Sequence, residues 1–352
     1  MNIVARVEKL LDCGNSEQAL VLLKSKPVTG AEGQYLLGQA YRLSGDCRVA
    51  SVHYKKAAAL AVGKADVKCQ ALNGLAASLR TLGISQQALD VALLSFKIAG
   101  EYGFDDLALS ARLERAMALR ALGRLSSALA ELDSIAVEYR REGDLEGVGY
   151  IHWAKGGLFR LQGRFADSIK EFRASAACAK RLKDESALGY AYFGLAGVSR
   201  VAGDIPSSEK YYRLAGKIFS KSGDLFARAY AFCGLANALR QKGDLKQAYA
   251  LYKQADVLYS RIGDRADLGF VKWGMGVVLE AWGRLDEALR LYQQSEKLFE
   301  GYSEARGLAL AGLRQASVLY LMGRTAQAEQ KYDSAVKLAR KEGLHTYLEH
   351  FT

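Results

Sequence analysis

The side chains that most often carry out chemistry are few in this sequence and are widely separated. The four histidines have no serine, cysteine or carboxylate at a spacing that suggests a nucleophile and its base; they are His53, His152, His345 and His350. On a helix the last two would point about 140° apart, away from a common face for a metal ion. The sequence therefore predicts no catalytic residue, no metal site and no cofactor.

The cysteines and the apolar segments bear on the cellular compartment. The five cysteines are scattered, odd in number and never arranged as C-x-x-C; they are Cys13, Cys47, Cys69, Cys178 and Cys233. Such spacing predicts neither a disulfide framework nor a zinc site. No apolar run reaches the roughly 18 residues that a membrane helix needs, and the first ten residues include charged side chains. We therefore expect a cytoplasmic protein without membrane insertion.

Arginine, in contrast, recurs at intervals of 38 or 40 residues, and we call the series the arginine ladder. Its members are Arg42, Arg80, Arg120, Arg160, Arg200 and Arg240, and the same spacing continues to Glu280 and Tyr320. A cation in the last turn of a helix complements the helix dipole, which would give each arginine a purely structural role. A row of guanidinium groups on one face would also bind carboxylates or phosphates through paired hydrogen bonds. The sequence leaves both explanations open.

Aromatic residues precede the ladder arginines at helical spacing. Ten residues before a ladder position stand Tyr150, Tyr190, Tyr230 and Phe270, and seven before it stand Trp153, Phe193, Cys233 and Trp273. Small residues lie between them and predict open space beside the rings; they are Ala154, Gly157, Gly194, Gly197, Gly234 and Gly274. The rings either pack one repeat on the next or, with the arginines, form a binding surface of the composition typical of interaction hot spots.

The elements that position these side chains follow from a second periodicity, that of glycine. Glycine occurs every 40 residues from Gly83 to Gly323, and the midpoints are also glycine except at Lys183 and Ser303. Gly45 and Gly14 extend the series toward the N-terminus. Glycine readily adopts the left-handed conformation that ends a helix. The spacing therefore predicts helices of about 15 to 18 residues joined by tight turns.

Two such helices form one repeat, and the whole chain accommodates about nine helical hairpins, the first of them short. Asp46, Asp204 and Asp244 follow their turn glycines and are predicted to cap second helices. No linker or low-complexity stretch marks a boundary. We therefore predict an all-α, right-handed α-solenoid that forms one domain over residues 1–352.

The repeats resemble the tetratricopeptide family. The segment Tyr35–Gly45 carries its pattern of a small residue, an aromatic residue and a turn glycine. The small residue of each first helix recurs as Gly38, Ala76, Ala116, Gly156, Ala196, Ala236, Gly276 and Ala316, and the ring of the second helix recurs as Tyr54, Phe172, Tyr212, Tyr252, Tyr292 and Tyr332. The 40-residue period is longer than the family's usual repeat of about 34 residues. It is similar to the repeats of LGN-type adaptors, kinesin light chains and the bacterial Rap and MalT regulators.

This resemblance implies that the chain binds a protein, a peptide or a small ligand and is not an enzyme. In such arrays the first helices line a concave groove. LGN-type repeats carry asparagine three residues before the ladder position, which this chain matches only at Asn237. The net charge of +11 admits an acidic protein partner, a nucleic acid or an anionic membrane surface and does not choose among them. The ladder arginines suggest an acidic partner. We therefore predict an adaptor or regulator whose groove is lined by Arg80, Arg120, Tyr150, Trp153, Arg160, Tyr190, Phe193, Arg200, Tyr230, Asn237, Arg240, Phe270 and Trp273.

Two alternatives stay open at this point. Arginines interleaved with rings would also bind single-stranded nucleic acid, because bases stack on aromatic side chains and phosphates pair with guanidinium groups. The second alternative is a module that senses a small ligand or a signalling peptide, as the Rap and MalT regulators do. Sensitivity to salt separates the nucleic-acid reading from a selective protein complex.

Overall fold

The protein is helical throughout the residues that the computed structural model describes, which are 3–220, 224–301, 304–342 and 344. No strand occurs among them. Their eighteen helices are α1 (Ile3–Asp12), α2 (Ser16–Ser25), α3 (Gly30–Leu43), α4 (Cys47–Leu60), α5 (Ala65–Thr81), α6 (Ser85–Tyr102), α7 (Asp105–Ala121), α8 (Leu125–Glu142), α9 (Leu145–Leu161), α10 (Phe165–Leu182), α11 (Glu185–Val201), α12 (Ile205–Phe219), α13 (Leu225–Lys242), α14 (Leu245–Ile262), α15 (Arg265–Ala281), α16 (Leu285–Glu300), α17 (Ala305–Leu321) and α18 (Thr325–Lys341).

Each odd-numbered helix is the first helix of a hairpin, and the even-numbered helix after it is the second. This arrangement confirms the predicted all-α repeat of hairpins, including the short first hairpin of two ten-residue helices. The chain divides into two compact units, Met1–Ala191 (unit 1) and Tyr192–Thr352 (unit 2), which are described separately. One continuous domain over residues 1–352 stays a prediction. Within the described residues, no helix combines the length and apolar character that crossing a bilayer requires.

The turn between helices requires a backbone that glycine adopts without strain. Every described glycine of the 20-residue series from Gly83 to Gly323 has a positive φ, between 70° and 92°. Lys183 stands in this series where glycine is missing, and it takes the same left-handed conformation with φ 56°. It is the one described non-glycine residue with a positive φ. Gly223, Ser303 and Gly343 of the series lie outside the described residues. Repeat geometry therefore imposes the left-handed conformation even on lysine.

Aspartates after the turns cap the helices that follow. Asp46, Asp204 and Asp244 accept hydrogen bonds from the backbone amides three residues later, at 3.0 to 3.2 Å, which confirms their predicted role. A second set of caps was not predicted; it precedes first helices and consists of Asp144, Asp184, Asp224 and Asp264. Each side chain supplies an acceptor for an amide that has no partner within its helix.

The small residue of the first helix and the ring of the second helix pack against each other as predicted. A Cβ added to Gly38 would lie 2.7 Å from the ring of Tyr54, and one added to Gly276 would lie 2.6 Å from the ring of Tyr292. The prediction was wrong for Tyr332, which is 54% exposed. The rings of Tyr54, Tyr212 and Tyr252 are covered by glycines of the first helix of the following hairpin, and the described residues contain no hairpin after α18.

Enlarging the small residue is expected to disrupt this packing. Ala236 is fully buried where α13 crosses α14. Replacing it with leucine adds three carbon atoms to a filled space and should lower the free energy of unfolding by about 1–3 kcal/mol. Thermal unfolding measures the effect. An unchanged midpoint would show that the crossing lies elsewhere.

Candidate functional site

Three ladder arginines bond to side chains and not to the carbonyls at the end of their own helix. Arg42 Nε donates to the hydroxyl of Tyr54 at 3.4 Å, and Arg240 Nε donates to that of Tyr252 at 3.3 Å. Arg80 Nε donates to a carboxylate oxygen of Glu114, also at 3.3 Å. Capping of the helix end therefore does not account for these three bonds.

The partner of a ladder residue is set by the residue twelve positions later, which we call the ring position. The hydroxyls of Tyr54, Tyr252 and Tyr292 at this position meet the ladder residue of the same hairpin, in the Arg42 and Arg240 bonds and in the 2.6 Å bond from Tyr292 to Glu280. In unit 1 the ring positions after Arg80, Arg120 and Arg160 hold Ala92, Leu132 and Phe172, which have no hydroxyl. These three guanidinium groups therefore cannot use this bond.

Glu114 reaches Arg80 from the next first helix, six residues before the next ladder arginine. This small position holds glycine or alanine at 74, 154, 194, 234 and 274, and charged residues only at Glu114 and Arg314. Arg314 lies 3.7 Å from Glu280, so the same two repeat positions form an ion pair in each unit with the charges exchanged. The small size of Ala92 at the ring position leaves space for the Glu114 side chain.

In unit 1 the predicted site residues Arg80, Arg120, Tyr150 and Trp153 come together. The Arg120 guanidinium lies 5.7 Å from the centre of the Trp153 ring, a cation–π contact, and the rings of Trp153 and Tyr150 are also 5.7 Å apart. Burial raises the pKa of the Tyr150 hydroxyl, while the positive charges of Arg80 and Arg120 act in the opposite direction. The side chains of Arg80 and Glu114 retain 23% and 18% of their surface exposed. They are therefore partly desolvated but within reach of a ligand.

In unit 2 the predicted residues Asn237, Arg240 and Trp273 meet around Tyr252. The Tyr252 hydroxyl donates to Asn237 Oδ1 at 2.7 Å and accepts from Arg240, and burial raises its pKa to about 12. Trp273 lies between two guanidinium groups, with its ring centre 5.3 Å from Arg240 and 5.9 Å from Arg314. Its indole nitrogen donates to the carbonyl of Leu310 at 3.3 Å.

Two expectations about this surface were wrong. Phe193 and Trp273 are only 4% and 5% exposed, so their rings belong to the packing of unit 2 and do not present a face to a partner. The small residues do not leave open space either. A Cβ at Gly234 would lie 2.1 Å from the ring of Tyr212, and one at Gly274 would lie 2.5 Å from that of Tyr252. These glycines are required because a tyrosine of the preceding second helix fills the space above them.

Gly157 is a similar case, because a Cβ there would lie 2.8 Å from a terminal nitrogen of Arg120. It admits a guanidinium group where the other two glycines admit a ring. The remaining predicted site residues are half-buried; they are Arg160 and Tyr190 in unit 1 and Arg200, Tyr230 and Phe270 in unit 2. The ring centres of Phe270 and Phe299 are 4.7 Å apart, and the Arg306 guanidinium lies 4.4 Å from the ring centre of Phe270.

Sequence reasoning missed four residues that shape the site: Glu114, Tyr252, Arg314 and, as a site residue, Arg42. A signal for two of them was present. Glu114 and Arg314 are the charged exceptions at an otherwise small position, and each has a sign opposite to that of the ladder residue 34 positions earlier. The predicted exclusion of a metal site at His345 and His350 concerns residues outside those described.

A half-buried acidic pair in unit 2 gives this unit a pH dependence. Asp264 caps α15 by accepting from the amide of Asp267 at 2.9 Å. Burial raises the pKa of the Asp267 carboxyl to about 7, and the charge of Asp264 adds to the shift. Between about pH 4 and pH 7 the folded chain therefore keeps a proton that the unfolded chain has released, so stability falls as the pH rises through this range.

Replacing Asp267 with asparagine should remove this penalty and keep the amide that Asp264 caps. We expect the variant to unfold at least about 2 °C above the wild type near pH 8 and close to it near pH 4. Thermal unfolding at the two pH values measures the difference. An equal shift at both would contradict a raised pKa at this carboxyl.

The hairpins, their turn glycines and the ring packed on a small residue define a tetratricopeptide-type repeat fold. Comparison with family models agrees, because residues 182–351 match the model described as the MalT-like TPR region. A comparison with curated proteins finds no match.

Solved structures show the same fold at low sequence identity. The chain is similar to a Rap protein complexed with competence and sporulation factor, with a TM-score of 0.63, 18% identity and coverage of 81% of this chain and 80% of that one. It is equally similar to the apo quorum sensor NprR from B. thuringiensis, with a TM-score of 0.63, 12% identity and coverage of 96% and 97%. A signal-transduction ATPase with a tetratricopeptide repeat sensor from Pyrococcus horikoshii gives a TM-score of 0.60 and 13% identity over 96% of this chain and 54% of that one.

Proposed function

We propose that the chain is a protein-interaction module, an adaptor or regulator without enzymatic activity, that binds an acidic segment of a partner protein on its first-helix side. The observation that carries the proposal is the cluster of unit 1, where Arg80, Arg120, Tyr150 and Trp153 combine two guanidinium groups with two partly exposed rings. Arginine, tyrosine and tryptophan are the residues that most often supply the energy of protein interfaces.

The similar structures support this class of function. One of them is a Rap protein with a bound competence and sporulation factor, and another is a quorum sensor. Both are recognition proteins by their descriptions. A chain built from the same hairpins has the same kind of first-helix surface available for a partner segment.

The internal carboxylates favour an acidic protein segment over a nucleic-acid backbone. Glu114 in unit 1 is paired with Arg80, and Glu280 in unit 2 is paired with Arg314. Each of these carboxylates would repel a continuous chain of phosphates. A protein segment can instead place its carboxylates at the arginines and other groups beside the glutamates. The +11 net charge of the chain assists the approach of such a segment in solution.

Affinity capture from a lysate, followed by mass spectrometry, tests the proposal. The wild-type chain is compared with a variant carrying Arg120→Glu and Arg160→Glu. Only proteins that the wild type captures and the variant does not are counted as partners. We expect at least one such protein, with an acidic segment whose synthetic peptide competes for binding. Recovery of nucleic acid, with binding that survives protease but not nuclease, would reject the proposal.

A further inference from the structure

The first helices α3, α5 and α7 of unit 1 bring Arg42, Arg80, Arg120 and the carboxylate of Glu114 near the hydroxyl of Tyr150. Arg80 pairs with Glu114, and the negative charge of Glu114 also acts on Arg42. Arg42, Arg80 and Arg120 all act on the hydroxyl of Tyr150. The three guanidinium groups and the one carboxylate leave a charge of about +2 on a partly exposed surface.

This surface already holds a carboxylate, because Glu114 supplies one from within the chain. The glutamate is an exception among small residues, and Ala92 replaces the ring that would otherwise occupy its place. The pair is not fully enclosed, since both side chains remain accessible to solvent. A carboxylate from another chain can therefore reach Arg80 where Glu114 now lies.

We propose that Glu114 is an internal competitor that occupies Arg80 until a carboxylate of an acidic partner segment displaces it. Glu114 then sets how acidic a segment must be before it binds, and so determines the specificity of the site. This inference rests on the proposed function, since it takes an acidic segment as the ligand. It makes Glu114 the residue whose removal strengthens binding, which a purely structural ion pair would not do.

Hexaglutamate with a fluorescent label is the probe, and its binding is measured by anisotropy. Glu114→Gln is expected to bind about tenfold more tightly than the wild type, because Arg80 becomes available to the peptide. The matched control is Glu131→Gln, which makes the same change in net charge. Glu131 is also paired with two arginines, Arg112 and Arg115, but Glu131 itself lies on α8, which is a second helix. The control should stay within about twofold of the wild type.

A second variant keeps the net charge and guards against a folding defect. Glu114→Asp withdraws the carboxylate by one methylene group, so it should tighten binding by a smaller factor than Glu114→Gln. Thermal unfolding of each variant confirms that it is folded before binding is compared.

The outcomes separate this inference from the proposed function. If the wild type binds hexaglutamate and the Glu114→Gln and Glu131→Gln variants bind it equally, the internal competitor is rejected and the acidic preference stands. If neither the wild type nor any variant binds hexaglutamate, both are rejected. Tighter binding of a single-stranded oligonucleotide by Glu114→Gln, without tighter binding of hexaglutamate, would also overturn the inference, in favour of phosphate.

Discussion

Replacing Tyr252 with alanine is expected to lower the free energy of unfolding by about 3–5 kcal/mol, among the largest effects of any single change in the chain. The Tyr252 side chain is completely buried, and its ring occupies the space above Gly274. Its hydroxyl bonds to Asn237 and Arg240. Alanine would leave a cavity and would deprive both polar side chains of a partner.

The chain supplies its own control for this prediction. Tyr332 stands at the same repeat position but is 54% exposed, so Tyr332→Ala should cost less than about 1 kcal/mol. Tyr252→Phe keeps the ring and removes the hydroxyl, and should cost about 1 kcal/mol. Denaturant unfolding measures all three variants. Equal losses for Tyr252→Ala and Tyr332→Ala would contradict the packing described for unit 2.

Reversing two ladder charges of unit 1 should have the largest effect on binding. With Arg120→Glu and Arg160→Glu together, we expect the affinity for an acidic partner to fall by a factor of about 100 or more, because attraction becomes repulsion at two sites. Both side chains are half-buried and neither has a tyrosine hydroxyl twelve residues later. Titration calorimetry with the captured partner measures the loss, and thermal unfolding checks the fold.

The matched control reverses the charges of Arg124 and Arg164, which lie four residues after Arg120 and Arg160. Arg124 and Arg164 are exposed and lie at the start of second helices, and Arg164 pairs with Asp167. The variant with Arg124→Glu and Arg164→Glu carries the same net charge as the ladder variant. It should lose little affinity beyond the general electrostatic effect. If the two double variants bind equally, the ladder arginines are not the anchors.

The fold could be predicted from the sequence because its periodic features are local. A left-handed residue must end each helix, so glycine marks the turns at fixed intervals, and Lys183 shows that the geometry holds even where glycine is missing. The small residue and the ring follow from the crossing of two helices within one hairpin. Tyr332 departed from the pattern because its burial depends on a neighbouring hairpin and not on its own.

The candidate site was less predictable because exposure depends on contacts between hairpins. Helical spacing places Phe193 and Trp273 on the same face as the arginines, but it cannot show that neighbouring side chains cover them. Gly274 presented a similar ambiguity, because a glycine that leaves space and a glycine that admits a ring look the same in a sequence. The pairing of Arg80 with Glu114 joins residues 34 positions apart and becomes evident only when the repeats are aligned by position.

Site-specific photo-crosslinking tests the central claim, that the partner binds on the first-helix side, most directly. A benzophenone amino acid replaces either Trp153, beside Arg120 on α9, or Val137, which is 62% exposed on the second helix α8. The partner recovered by capture is added and the mixture is irradiated. Binding on the first-helix side predicts a crosslinked complex from position 153 and none from position 137. Crosslinking from position 137 alone would contradict it.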